Sequence, residues 1–170
     1  MTVKVLGAAL ILGACGCMGI SLAAAHRQKE RMLQQLIHGV EWMSCELQYR
    51  QTALPQLMQM CAAETSGMLR KVFSELAAEL EHQIAPDAGC CMRAVLERMP
   101  KIPAAIREKL LLLGRSLGRF DLSGQLSGLE AVSQLCKRDL SGLLVNREAR
   151  LRSYVTLGLC AGVALVILFV

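Results

Sequence analysis

Aromatic residues are scarce in this chain, at 4% of its 170 positions with Trp42 the sole tryptophan, and proline occurs four times. With aromatics so few, helix-forming residues dominate the composition instead. No GxxxxGK[ST] phosphate loop, HExxH or CxxC occurs, so the sequence supplies neither a nucleotide cradle nor a recognisable zinc site. His26, His38 and His82 fall in different segments, and Cys90-Cys91 are adjacent, which is the wrong spacing for a zinc knuckle. No catalytic residue, cofactor or metal is expected. A basic block interleaved with aromatics is also missing, which excludes an evident nucleic-acid surface.

What is present is apolar and helix-forming. Hydrophobic residues make up 54%, with mean hydropathy +0.40 and a formal charge of +5. Leu, Ala, Met, Glu, Arg and Gln favour helix, so the expected fold class is all-α. Two uncharged runs stand out, Val5 to Ala25 and Tyr154 to Val170. At about 1.5 Å per helical residue, each is near the length that crosses a hydrocarbon core of roughly 30 Å. Arg27, Lys29 and Arg31 follow the first run and Arg147, Arg150 and Arg152 precede the second. Such basic collars prefer the cytoplasm and suit anionic lipid headgroups. The expected organisation is a short extracytoplasmic tail (1–4), a transmembrane helix (5–25), a cytoplasmic α-helical domain (26–153) and a second transmembrane helix (154–170). Gly158 and Gly162 form a GxxxG pair suited to close helix packing in lipid, between anchors or between copies in a homo-oligomer. A competing expectation is an exported, lipid-anchored structural protein cleaved before Cys15, because Leu12-Gly13-Ala14-Cys15 loosely matches a lipobox.

Between the runs, apolar residues recur at spacings of three and four. Leu33, Leu36, Val40, Met43 and Leu47 continue the first helix to about Tyr49, giving one long helix. Thr52 reads as the N-cap of a short helix, Ser66-Gly67 as a break that caps the next, and Pro86-Asp87-Ala88-Gly89 as the end of that one. A short piece from Cys91 to Met99 leads into Pro100-Lys101-Ile102-Pro103. A helix from Ile106 then stops near Gly118, and Asp121 caps a last helix that runs into the closing anchor. All four prolines lie between the two long helices, which predicts a membrane-anchored bundle: two long antiparallel helices with shorter ones packed against them.

The densest pattern is Leu110 to Leu129, LLLLGRSLGRFDLSGQLSGL. Gly114 and Gly118 share a helix face, where another backbone can approach, and Arg115 and Arg119 make a parallel basic row. Gly118 as a C-cap, Asp121 as an N-cap and Gln125 as a polar partner explain the corner structurally; a docking surface explains it functionally. The spacing Leu110, Leu113, Gly114, Leu117, Gly118, Asp121, Gln125, Leu129 resembles the stage III sporulation protein AB family. Glu46-Leu47-Gln48-Tyr49 followed by Thr52, and an apolar run at each end, extend the resemblance over the chain. One departure is Thr52-Ala53-Leu54-Pro55, where the family pattern places proline directly after threonine.

The resemblance implies a membrane protein of the mother cell in an assembly joining it to the engulfed forespore, with a cytoplasmic domain similar to the platform protein of type II secretion and type IV pilus systems. It implies a secretion-type ATPase and other membrane components of the sporulation channel as partners, and an adaptor role without chemistry. Taken with the basic row, the residues expected to form the interaction or structural motif are Gly114, Arg115, Gly118, Arg119, Asp121 and Gln125.

Overall fold

The computed structural model describes residues 2–82, 87–118, 121–145 and 156, with side chains described for Ala24 and from His26 onward within those ranges. The chain divides into two compact units, one formed by Met1–Glu30 with Ser141–Val170 and the other by Arg31–Leu140. Among the described residues there are six α-helices and no strand. No helix among them is long and apolar enough to cross a membrane. The spans expected at 5–25 and 154–170, with Gly158 and Gly162, lie outside the described side chains but for Ala24 and Thr156.

Helix α1 covers Thr2–Arg50, and its residues from Arg31 onward belong to the second unit. There it buries Leu33, Leu36, Val40 and Met43 completely, the three-four stripe read from the sequence. Helix α2, Leu54–Glu64, starts two residues after Thr52 rather than immediately after it. Pro55 stands in its first turn, where the missing N–H is harmless, and Ala53 occupies the cap position. The Thr52 hydroxyl instead donates to Glu46 Oε2 at 3.4 Å.

Helix α3, Gly67–Glu81, begins at a glycine with φ +62 after Ser66, whose Oγ accepts from Gln35 Nε2 of α1 at 2.6 Å in place of capping. Of the Pro86-Asp87-Ala88-Gly89 stretch read as the end of this helix, Pro86 lies outside the described residues. Helix α4, Ala88–Arg98, starts three residues before Cys91, because Asp87 Oδ1 accepts from Cys90 N at 2.7 Å and caps the helix there. Helix α5 is Ala104–Ser116 and α6 is Leu122–Val145.

Within Arg31–Leu140, α2 packs on α3, α3 on α4 and α4 on α5. Helix α1 joins α2 where the Cys61 thiol reaches Gly39 O at 4.0 Å, and joins α6 through the Glu41–Lys137 ion pair at 2.6 Å. Phe73 is the largest fully buried side chain, surrounded by a core of leucine, methionine, valine and isoleucine. An aromatic-poor sequence fills its interior with flexible aliphatic and thioether groups, as expected of helices that meet at several angles.

Two thiols serve as core atoms. Cys61 is fully buried, and that burial, helped by the charges of Glu64 and Glu46, pushes its pKa up to about 12. Burial likewise pushes Cys136 up to about 11, with Lys109 opposing and Asp139 assisting. Cys45 and Cys90 are exposed, so the adjacent pair Cys90-Cys91 splits into one accessible and one buried thiol.

Candidate functional site

Two turns carry the residues singled out by sequence. At the first, between α1 and α2, Gln51 adopts φ +51, the left-handed region that a residue with a Cβ enters at a cost of about 1–2 kcal/mol. At the second, between α5 and α6, Gly118 adopts φ +75 one residue past the C-cap Leu117. The two turns line one cavity of about 350 Å³, whose walls are Leu47, Gln51, Thr52, Leu54, Gly118, Leu122 and Gln125. A Cβ built on Gly118 would sit 3.6 Å from Leu54 Cδ2, so the α5–α6 turn closes directly over the start of α2.

Asp121 organises the far side of that turn. Its carboxylate accepts from the Ser123 hydroxyl at 2.8 Å and from Gly124 N at 3.1 Å, which hold it below the usual carboxylate range and cap α6. Gln125 stands one turn further on, and its N–H donates to Asp121 O at 3.0 Å. With the glutamines and Thr52 on the walls and three leucines between them, the cavity offers neutral donors and acceptors around an apolar floor. Its lining contains no carboxylate, histidine, cysteine or lysine. Among the described residues no group of three His, Cys, Asp or Glu side chains could hold a metal ion. Tyr49, in the last turn of α1 close in sequence to the cavity wall, is 80% exposed.

The other residues of the motif have different surroundings. Gly114 is buried, and a Cβ there would lie 2.7 Å from Met92 Cβ and 3.2 Å from Ala88 O, so its close neighbour is α4 of the same unit. Arg115 is exposed and does not line the cavity. It lines a separate groove of about 450 Å³ with Glu108, Lys109, Leu111, Leu112 and Leu135. Arg119 lies outside the described residues. The structure therefore brings Gly118 and Gln125 together at the cavity, with Asp121 bracing the turn beside them, and assigns Gly114 and Arg115 to other contacts.

Sequence reading missed the seam between α5 and α6. A Cβ on Gly128 would fall 2.5 Å from Ser116 Cβ, so the two helices touch through a glycine and a serine. Ser116 turns its hydroxyl back to Leu112 O at 3.0 Å, while the buried Ser133 Oγ has no hydrogen-bond partner among the described residues. Lys109, only 8% exposed, donates to Asp139 Oδ2 at 2.5 Å and to Ala105 O at 3.2 Å. Gly124 and Gly128, four residues apart on α6, were the available signal for close approach on this side. Gly128→Ala is expected to destabilise by about 1–2 kcal/mol, with strain outweighing the gain in helix propensity. Adding Ser116→Gly should recover most of that loss, since the nearest remaining atom, Ser116 Cα, is 3.6 Å away. Denaturant midpoints of the two single variants and the double variant measure the coupling.

Fold and site together define an all-α protein in which two interhelical turns meet at one cavity. The model of the stage III sporulation protein AB family matches residues 4–170, and the chain belongs to that family, which places its role in sporulation. A solved structure titled "Stage III sporulation protein AB (SpoIIIAB)" is similar at TM-score 0.64 and 18% identity, over 72% of this chain and 98% of that one. At that identity the likeness shows the fold. No curated protein matches the chain.

Proposed function

We propose that this chain is a non-enzymatic membrane platform that holds or regulates a secretion-type ATPase in the channel complex between mother cell and forespore. The apolar runs 5–25 and 154–170 anchor it in the cell membrane, anionic headgroups meet its basic collars, and residues 26–153 face the cytoplasm of the mother cell. Family membership and the hydropathy pattern support this reading. The observation that carries it is the corner cavity, where the two stretches that bear the family resemblance, Leu47 to Leu54 and Gly118 to Gln125, line a single surface.

Both turns of that corner are held in conformations that cost free energy or demand glycine, as docking surfaces on rigid elements often are. The ATPase then docks through an apolar side chain seated among Leu47, Leu54 and Leu122, with Tyr49 beside it as an exposed aromatic anchor. Arg115 faces away from this contact into its own groove.

The test is recruitment of the companion ATPase to liposomes carrying the full chain. Leu122→Asp and Tyr49→Ala should each weaken recruitment about tenfold, the effect of losing one anchor of a small interface. Helical content and membrane insertion should stay unchanged, since Leu122 is 37% exposed and Tyr49 more so. Unaltered recruitment in both variants removes the corner from the interface.

A further inference from the structure

The outer face of α5 breaks the pattern expected of a helix with one face in a core. Its inward residues are Ile106, Leu110 and Leu113, all fully buried. The opposite stripe should be polar, yet it reads Glu108, Leu111, Leu112, Arg115. The two leucines are half-buried between exposed charges, and Leu135 of α6, 43% exposed, lines the same groove. Lys109 already has its partner in Asp139. Glu108 and Arg115 have no ion pair or hydrogen bond among the described residues.

The spacing of that stripe is symmetric. Its intervals are three, one and three residues, with a carboxylate at one end and a guanidinium at the other, about 10 Å apart along the axis. Turned end for end, the stripe presents arginine where it had glutamate and leucine where it had leucine. A surface that is its own electrostatic and apolar complement fits another copy of itself about a two-fold axis, which is the geometry of an isologous contact.

We infer that α5 packs antiparallel on α5 of a second copy of this chain, with Glu108 of each copy facing Arg115 of the other. Leu111 of one copy lies against Leu112 of the other at the axis, and the two Leu135 side chains close the apolar strip at its sides. The contact is small and half-solvated, so it is weak between freely diffusing copies. Copies confined to one membrane meet at high effective concentration, where a weak two-fold contact is populated. This interface uses the Arg115 groove and leaves the corner cavity open, so it stands independently of the ATPase reading.

Energy transfer between donor- and acceptor-labelled copies of the full chain in liposomes, followed as added lipid dilutes the protein in the membrane, tests it. The wild type should show a concentration-dependent monomer–dimer equilibrium. Glu108→Arg and Arg115→Glu each turn two attractive contacts into two repulsive ones and should each weaken dimerisation about tenfold or more. Leu112→Gln, which keeps both charges, should weaken it by a similar factor. The double variant Glu108→Arg/Arg115→Glu restores both opposite-charge pairs, and its dimer should return to within about threefold of the wild type. A wild type that stays monomeric overturns the proposal. Single variants that associate like the wild type overturn it too, since the contact then lies elsewhere, as in the anchors. A double variant as weak as the singles also overturns it, because the groove then meets a different protein.

Discussion

Gly114→Leu is expected to destabilise the Arg31–Leu140 unit by about 3 kcal/mol, the upper part of the range for overpacking a well-filled core. A Cβ at this position already falls 2.7 Å from Met92 Cβ, 3.1 Å from Met92 Cγ and 3.2 Å from Ala88 O. Methionine can move its far end, but its Cβ is fixed by the backbone of α4 and the carbonyl cannot move at all without it. The whole of α4 must therefore retreat from α5 before a leucine fits. Gly39 provides the contrast, because a Cβ there would meet only Thr65 Cγ2, at an ordinary 3.7 Å. Guanidinium unfolding of the full chain, followed by helical ellipticity, should show a lower midpoint for Gly114→Leu with little change in slope. A midpoint equal to that of the wild type would show that α4 and α5 are not in contact at this glycine.

A larger loss, about 3–5 kcal/mol, is expected from Phe73→Ala. Phe73 is completely inaccessible and is the bulkiest side chain in the core, on a helix that packs against both α2 and α4. Its removal leaves a void the size of a ring, and its neighbours, though rich in leucine and methionine, can collapse into that space only in part. Phe73→Leu should lose much less, about 1 kcal/mol, since most of the volume is retained. The same unfolding measurement distinguishes the two variants. Equal losses would mean that the ring itself, rather than the volume it fills, holds the helices together.

The helices were legible in the sequence because each carries its own stripe. Leu33, Leu36, Val40 and Met43 on α1, and Leu69, Val72, Phe73 and Leu76 on α3, are spaced so that a helix must bury them on one side. Starts were harder to read. Thr52 has the chemistry of a cap but spends its hydroxyl on Glu46, and Asp87 captures Cys90 N and begins α4 earlier than its apolar stripe suggests. Caps are settled by competition between nearby partners, and a linear pattern does not rank them.

The glycine corner was visible as a motif, with Gly118 and Asp121 readable as caps, but which of its residues share a surface was not. Gly114 and Gly118 share a helix face by spacing, yet one lies in helix against α4 and the other turns the chain at φ +75. Arg115 and Gln125 were grouped by proximity along the chain, whereas the fold turns them toward different cavities. The Leu47 to Leu54 side of the corner cavity carried no sign that it would face residues some seventy positions away.

The sequence alone determined the class, the family, the rough extent of the described helices between residues 31 and 140 and the absence of the familiar catalytic motifs, because these follow from composition and from periodicities of three and four residues. Which helices touch, which glycines are crowded, and which turns come together at one cavity were decided only by tertiary structure. Those outcomes depend on how separate apolar stripes satisfy one another at once, and a packing solution shared by several helices is not written in any one of them.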